Sequence, residues 1–271
     1  MNAHTTLEAE PVLLRTVERG IVTLRLNRPA ARNALSEALL DAMAAELDRL
    51  SADETVRAVI LASSGPVFSA GHDLKEMTAR RSDPDRGRSY FADVLARCSD
   101  VMQRIVRLPQ PVIAAVEGVA TAAGCQLVAS CDLAVAGANA RFCTPGVHIG
   151  LFCSTPMVAL SRNLSPKHAM EMLLLGEMIG VEDAFRFGLV NRVVPAGQAE
   201  AEAASMAAVI ASKSAYTLKV GKEAFYRQLE MPLGDAYNYA ARVMVENMLA
   251  RDAEEGIAAF MEKRDAKWQG R

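Results

Sequence analysis

Two spacings of apolar residues near the start of the chain predict a strand followed by a helix. Between Ile21 and Leu26 apolar and polar residues alternate, which is typical of a half-buried strand. After Ser36 the apolar residues recur at intervals of four, four and three, as on one face of a helix. These residues are Leu39, Met43, Leu47 and Leu50. Ser36 can cap that helix, because its hydroxyl can accept a hydrogen bond from the first turn.

Further along the chain, short apolar runs alternate with longer mixed stretches. The runs predict buried strands at 57–62, 112–116, 132–136 and 191–194. Between them the sequence predicts a small-residue loop at 63–71, an exposed, mobile loop at 80–88 and a tight turn at 118–124. It also predicts a long helix at about 90–107, a helix that begins at about Cys125, directly after the tight turn, and a helix starting at Ser165-Pro166. The stretch 142–161 lacks Asp, Glu, Lys and Arg, but its prolines and glycines indicate buried loop and short elements rather than a membrane span.

The C-terminal part has a different pattern. From about Gly197 it is helical almost throughout, and no strand pattern returns. Its apolar positions are too numerous for an exposed appendage, so we expect it to pack on another surface, such as a second subunit. Strands alternating with helices and followed by helices alone predict an α/β body at 11–196, a helical C-terminal region at 197–271 and a disordered tail at 1–10.

The composition argues against several classes of partner. A formal net charge of −2 offers no basic surface for nucleic acid or an anionic membrane. The five cysteines are odd in number, form no C-x-x-C pair and accompany no export signal, so we predict reduced, mostly buried thiols. Met1 to Pro11 resembles neither a signal peptide nor a transit peptide, which predicts a cytoplasmic location.

Two segments, 68–75 and 120–125, combine small residues with a strand end and a helix start. In the first, Gly71 allows a close backbone approach and Asp73 can cap the following helix. Each would leave backbone N–H groups unpaired at a helix N-terminus. Two such donors on one oxygen form an oxyanion hole, worth about 3 kcal/mol per donor, which favours anion formation at a thioester carbonyl. Taken alone, each segment is more simply a tightly packed turn.

Several motifs together resemble the crotonase (enoyl-CoA hydratase/isomerase) family. They are Leu26-Asn27-Arg28-Pro29 with Asn33-Ala34-Leu35; Phe68-Ser69-Ala70-Gly71-His72-Asp73-Leu74; Pro111 to Val116 with Gly118, Gly124-Cys125 and Cys131-Asp132; and Gly256, Phe260, Lys263 and Arg264. The resemblance runs in order and at the right spacing from about residue 12 to residue 268. The stretches 120–132 and 144–156 look like the branch of the family that contains enoyl-CoA hydratase domain-containing protein 3.

The resemblance implies a spiral of β-β-α units whose helical C-terminal region forms trimers, often paired into hexamers. It implies a thioester oxygen bound between the backbone N–H groups of His72 and Ala123. Asp73, Leu74 and Lys75 would line the path of the pantetheine and nucleotide, and Phe260 and Lys263 would contact coenzyme A, the lysine through phosphate. Coenzyme A would be part of the substrate, with no permanently bound cofactor and no metal.

The sequence departs from a working hydratase at two positions. Hydration needs one carboxylate to activate water and another to handle the α-carbon proton. Where the family places these glutamates, this chain has Gln126 and Gly146. Glutamine does not titrate and glycine offers no side chain, so ordinary hydration is not expected.

Four residues could substitute for the missing glutamates, and each has a simpler interpretation. His148 follows the vacated second position and is equally a packed histidine bonded to backbone. Cys153 and Ser154 could face the acyl group, or be a buried thiol and a helix cap. Glu117 could be a displaced base or a turn residue.

Two hypotheses follow for the function. The first is an acyl-CoA-binding member of the enoyl-CoA hydratase/isomerase family that catalyses a reaction without the two glutamates. The second is a non-catalytic acyl-CoA-binding or regulatory protein. A nucleotide-binding α/β protein of another class fits poorly, because the chain has neither G-x-G-x-x-G after a strand nor G-x-x-x-x-G-K-[ST].

Overall fold

The computed structural model describes residues 10–271. Residues 1–9 lie outside that range, and with them nearly all of the disordered tail predicted for 1–10. No helix within residues 10–271 combines the length and the apolar character that crossing a membrane requires.

Within those residues the chain forms ten strands, eleven α-helices and three short 3-10 helices; the strands and α-helices are named here in chain order. The strands are β1 (Leu13–Glu18), β2 (Ile21–Leu26), β3 (Ala58–Ser63), β4 (Val67–Ser69), β5 (Val112–Val116), β6 (Val119–Thr121), β7 (Leu133–Gly137), β8 (Arg141–Cys143), β9 (Ile179–Gly180) and β10 (Arg192–Val194). The helices are α1 (Glu37–Ser51), α2 (Leu74–Ala79), α3 (Arg88–Arg107), α4 (Ala123–Ser130), α5 (Ser154–Asn163), α6 (Pro166–Leu175), α7 (Val181–Phe187), α8 (Ala199–Ala211), α9 (Ala215–Gln228), α10 (Leu233–Met248) and α11 (Arg251–Glu262).

The larger sheet has six strands in the order β1-β2-β3-β5-β7-β10. β1 is antiparallel to β2, and all other neighbours are parallel. β5 is buried along its whole length, as expected for a parallel strand covered on both faces. Helix α8 packs Ala199, Ala203 and Ala207 against one face of this sheet, where small side chains let the helix approach closely.

The smaller sheet has the order β4-β6-β8-β9, and its first three strands each follow a strand of the larger sheet. A helix comes after each such pair, so the chain repeats a β-β-α unit three times, at β3-β4-α2, β5-β6-α4 and β7-β8-α5. Successive units stack with β4, β6 and β8 parallel to one another. The predicted spiral is therefore confirmed. Because parallel strands end at the same edge, the loops after β4 and β6 lie side by side.

The first helix forms as its spacing predicts. The Ser36 hydroxyl accepts a hydrogen bond from the Leu39 amide at 3.2 Å, and Ser36 caps α1. The four residues at helical spacing are all buried in the main core, where α1 packs against α3. The strand Ile21–Leu26 also alternates as predicted, with Val22, Leu24 and Leu26 inside.

The helical C-terminal region is confirmed as α8 to α11, and a buried ion pair ties α9 to the body. Lys222 Nζ lies 2.7 Å from Asp132 Oδ2, and the Tyr226 hydroxyl donates to Asp132 Oδ1 at 2.9 Å. The Val112 amide also donates to Asp132 at 2.7 Å. Burial lowers the pKa of Lys222, but attraction to Asp132 opposes that effect. With both charges paired and hydrogen-bonded, removal of either one would leave the other uncompensated.

Several local predictions need correction. β1, β4, β6, β8 and β9 were not predicted; the last four have only two or three residues, and β1 is an exposed edge strand without apolar alternation. The turn at 118–124 contains β6, and its helix begins at Ala123 rather than at about Cys125. The stretch 142–161 does contain short elements, but Ile149 and Leu151 are 61% and 51% exposed, so "buried" is wrong there. The five cysteines are buried and free of disulfides, as predicted.

Candidate functional site

The loops after β4 and β6 approach each other more closely than side chains would normally permit. Gly71 has a φ of +83°, and a Cβ there would lie 2.9 Å from Ala122 Cβ and 3.1 Å from the Ala123 nitrogen. A Cβ on Gly124 would overlap the Ser69 carbonyl oxygen. Glycine is therefore required at both positions, and it brings the two predicted donor segments together.

Both predicted donors in these loops are unpaired within the described residues. The backbone groups on either side of the His72 amide are already hydrogen-bonded. The Gly71 carbonyl accepts a hydrogen bond from the Leu35 amide, and the Asp73 amide donates one to the Leu35 carbonyl. The His72 amide itself has no acceptor within residues 10–271. Ala123 is the first residue of α4, so its N–H has no acceptor within the helix. Two free N–H groups on adjacent loops can bind one oxygen atom and stabilise negative charge on it.

Asn33 braces β4, the strand that leads into the first loop. It is fully buried, its Oδ1 accepts from the Arg28 amide at 2.8 Å, and its Nδ2 donates to the Ser64 and Val67 carbonyls at 2.8 and 2.7 Å. The Ser69 hydroxyl donates to the Asn33 carbonyl at 2.9 Å. The Asn-Ala-Leu motif recognised in the sequence thus has a bracing role that its residue types alone did not reveal.

Arg28 and Asp73 fix the far end of the same loop. The Arg28 guanidinium donates to Asp73 Oδ2 at 3.0 Å and to the Ala34 carbonyl at 2.6 Å. Asp73 caps α2, as predicted, by accepting from the amides of Lys75 and Glu76. Burial opposes ionisation of Asp73, but these hydrogen bonds and the Arg28 charge hold its pKa below the usual value. The carboxylate is therefore a structural anion, because the Arg28 guanidinium and two amides of α2 already bind it.

The His72 side chain has no partner either. Both ring nitrogens are buried, and neither forms a hydrogen bond within residues 10–271. Burial lowers the pKa of the imidazole, so the ring is neutral near pH 7. Its unpaired ring nitrogens could therefore bind a ligand or an ordered water. The sequence alone indicated a role only for the backbone of this residue.

The two positions that lack glutamate differ in their surroundings. Gln126 lies on α4, is 4% exposed, and its Oε1 accepts no hydrogen bond from the described residues. Gly146 has no room for a side chain, because a Cβ would lie 2.7 Å from the Leu151 carbonyl oxygen and 2.9 Å from Cys153 Sγ. A carboxylate cannot be restored at 146 unless residues 151–153 move.

The four possible substitutes have local partners. His148 is exposed, and its Nε2 lies 3.2 Å from the Gly176 carbonyl oxygen. The Cys153 thiol has its pKa raised by burial, with a hydrogen bond from the Gly146 amide as a smaller opposing effect, so it is a poor nucleophile. The Ser154 hydroxyl donates to the Phe152 carbonyl at 3.3 Å. Glu117 accepts from the Ala199 amide at 3.0 Å and so holds the start of α8.

The residues predicted to contact coenzyme A fall into two groups. Leu74 and Lys75 are exposed in the first turn of α2, beside the donor loops. Phe260, which is 85% exposed, and Lys263 lie at the end of α11. No hydrogen bond or ion pair among the described side chains joins this second group to α2.

A sequence model of the family described as enoyl-CoA hydratase/isomerase matches residues 16–271. The rat protein named mitochondrial enoyl-CoA hydratase domain-containing protein 3 is 47% identical over 262 residues, covering 96% of this chain and 86% of the relative. A probable enoyl-CoA hydratase of Rhizobium meliloti is 35% identical over 264 residues, covering 97% of this chain and 99% of the relative.

Solved structures of enoyl-CoA hydratase relatives also resemble this chain in sequence and in fold. An enoyl-CoA hydratase of Mycobacterium smegmatis shares 53% identity and superposes with a TM-score of 0.91, covering 96% of this chain and 99% of the other. Human enoyl-CoA hydratase domain-containing protein 3 shares 45% identity with a TM-score of 0.90, covering 95% and 100%. The predicted family, its branch and the fold are confirmed.

The predicted cytoplasmic location is wrong by the same comparison. The rat, mouse and human relatives, at 47%, 47% and 45% identity, are named mitochondrial proteins. The prediction rested on the cysteine pattern and on the composition of Met1 to Pro11, and neither fixes a compartment.

Ala122, between the two donor loops, has a strained backbone that the sequence did not reveal. Its φ of +49° and ψ of −119° suit glycine, and a side chain there costs about 1–3 kcal/mol. Ala122→Gly is therefore expected to raise the free energy of unfolding by about 1 kcal/mol, although glycine usually destabilises through unfolded-state entropy. Thermal and urea unfolding measure this. The control is Ala120→Gly in the buried strand β6, a substitution that should lower the free energy of unfolding. If both variants lower the free energy of unfolding equally, Ala122 is unstrained.

Proposed function

Because the chain belongs to the enoyl-CoA hydratase/isomerase family, we propose that it binds an acyl-CoA thioester whose oxygen is held by the His72 and Ala123 N–H groups. The observation that carries the proposal is the close approach of the two loops, where a Cβ on Gly71 would lie only 3.1 Å from the Ala123 nitrogen. Two unpaired donors on loops this close together favour the anion formed when a thioester becomes an enolate or a tetrahedral intermediate. Coenzyme A enters as part of the substrate.

The reaction does not follow the two-carboxylate route of hydration. Gln126 accepts a hydrogen bond but takes no proton, and Gly146 contributes no group at all. Hydrolysis, decarboxylation and isomerisation of an acyl-CoA each pass through an anion that the donor pair would stabilise. The bond between His148 and the Gly176 carbonyl favours a packing role for that histidine over acid–base catalysis.

A second candidate function is a non-catalytic acyl-CoA-binding or regulatory protein. It is favoured by the closure of the second acid position, where the Leu151 carbonyl and the Cys153 thiol occupy the space beside Gly146. Turnover of a panel of acyl-CoAs, followed by thioester loss, by mass spectrometry and by chromatographic separation of isomers, distinguishes the two functions. An enzyme consumes at least one thioester, whereas a binding protein returns every one unchanged.

The coenzyme A moiety is proposed to lie along α2, beside Leu74 and Lys75. Lys75 and Lys263 are exposed cations without an acidic partner within the described residues, which suits them to phosphate. Phe260 offers a free aromatic face for stacking.

Binding tests the proposed function directly. Calorimetry is expected to give micromolar to sub-millimolar affinity for free coenzyme A and tighter binding of butyryl-CoA, because only the thioester engages the two N–H groups. Gly71→Val should abolish that preference, since its side chain would displace the donor loops. Lys263→Ala should weaken both ligands, and more strongly at low salt than at high salt. No binding of either ligand at millimolar concentration would reject the proposal.

Hydration of crotonyl-CoA should be slow. Each missing acid–base partner is expected to cost about 10²–10⁴ in rate, so the chain should lie at least about 10⁴-fold below a hydratase with both glutamates. Gln126→Glu alone should recover little, because Gly146 leaves the second position without a carboxylate. A stopped-flow or ultraviolet assay measures this. Turnover of hundreds per second by the unaltered chain would refute the argument and require carboxylates elsewhere.

The chain is proposed to assemble as a homotrimer or hexamer through its C-terminal helices. In the single chain α9 to α11 expose many large apolar side chains, a pattern that marks interfaces. They include Phe225, Leu229, Leu233, Tyr237, Met244, Leu249 and Ile257. Light scattering at micromolar concentration is expected to give three or six times the chain mass. A monomer mass would contradict the assembly.

A further inference from the structure

The end of α11 carries Phe260 and Lys263, and the chain reverses its direction directly afterwards. Lys263 has a φ of +56°, a left-handed conformation that commonly ends helices, and the Arg264 amide donates back to the Ala259 carbonyl at 3.0 Å. Residues 264–270, here called the C-terminal strap, then run back beside α11 toward its first turn. The two proposed coenzyme A contacts therefore lie at the tip of a hairpin formed by α11 and the strap.

Two contacts tie the strap to the middle of α11. The Arg264 guanidinium donates to both carboxylate oxygens of Glu255, at 2.7 and 3.0 Å. A Cβ on Gly256 would lie only 3.1 Å from the Trp268 ring, so that ring lies directly against the helix backbone. The Trp268 indole N–H also donates to the carbonyl of Ser212, at the end of α8, at 2.8 Å. The strap thus joins α11 to α8.

Asp252, in the first turn of α11, holds the end of the strap. It is 2% exposed, and its two carboxylate oxygens accept from the Gln269 amide at 2.6 Å and from the Gly270 amide at 3.0 Å. Oδ2 also accepts at 2.6 Å from the hydroxyl of Ser214, which caps α9. Burial raises the pKa of Asp252, but these hydrogen bonds outweigh that effect and lower it, so the carboxylate is charged at pH 7. One buried anion therefore joins α9, α11 and the strap.

We propose that Asp252 is a positioning residue for coenzyme A, because the strap that it anchors fixes Phe260 and Lys263 for the nucleotide end of the ligand. This inference rests on the proposed function and deepens it. Asp252 lies eight residues before Phe260, about 12 Å along the helix axis, so it acts through the strap and not by touching the same part of the ligand. Side chains that must be ordered on binding lower the affinity, whereas a tip fixed beforehand avoids that cost.

Calorimetry with butyryl-CoA tests this inference in Asp252→Asn, which keeps the size of the side chain but places an NH2 group opposite a strap amide. The variant is expected to bind butyryl-CoA about ten-fold more weakly, since Phe260 and Lys263 must then be ordered on binding. Glu254→Gln is the matched control. It makes the same charge change in the same turn, at an exposed residue that pairs with Arg251 instead of the strap, and it should bind as the unaltered chain does.

Trp268 reports on the strap directly, because it is the only tryptophan in the chain. In Asp252→Asn, acrylamide should quench its fluorescence more strongly than in the unaltered chain. Butyryl-CoA should reverse part of that change, since coupling between the strap and the ligand is reciprocal. A variant that is merely less stable would instead bind less ligand at unchanged affinity. Trp268→Ala, which alters a partly exposed side chain outside the core, should weaken butyryl-CoA binding as Asp252→Asn does.

Removal of the tip separates positioning from other effects. In the Phe260→Ala/Lys263→Ala background, Asp252→Asn should change the affinity for butyryl-CoA by less than about two-fold, because no contact is left to position. An equal loss in that background would overturn this inference and leave the proposed function standing. Unchanged affinity in Asp252→Asn, or unchanged quenching of Trp268, would do the same. Failure of the unaltered chain to bind butyryl-CoA would reject the proposed function itself.

Discussion

The structure depends on one constraint: two loops must touch without side chains between them. Gly71 and Gly124 meet this constraint, because a Cβ on either residue would run into the opposite loop. The parallel pairing of β4 with β6 brings the loops to one edge of the small sheet, and the Asn33 side chain braces β4, which leads into the first of them. The outcome is a pair of unpaired donors that belong to the main chain and not to a side chain.

The proposed binding uses backbone donors that the site contains, whereas hydration would need two carboxylates that positions 126 and 146 do not supply. Backbone donors survive most substitutions, since every residue except proline keeps its N–H, whereas a general base disappears with its side chain. Local packing also excludes a side chain at position 146, because the Leu151 carbonyl and the Cys153 thiol lie against Gly146. Gln126 is different: it keeps nearly the shape of a glutamate and a buried acceptor, but it takes up no proton.

The sequence predicted those features that rest on long or strongly marked patterns. The Ser36 and Asp73 caps, the alternation in β2 and the helices after Gly197 each have a residue signature that tertiary contacts do not override. The two- and three-residue strands β4, β6, β8 and β9 have no such signature, because pairing with distant segments makes them strands. For the same reason the unpaired His72 ring and the strain at Ala122 are properties of the assembled loops.

The central claim is that two backbone N–H groups polarise a bound thioester, and carbonyl infrared spectroscopy tests it most directly. The spectrum of the complex with butyryl-CoA carrying carbon-13 at the thioester carbonyl is subtracted from that with the unlabelled ligand, and the difference isolates the thioester band from the protein amide bands. Two hydrogen bonds weaken the C=O bond, so the band of the bound ligand should move to lower frequency than in water, and the shift should be lost in Gly71→Val. A bound thioester whose band stays at its position in water would contradict the account.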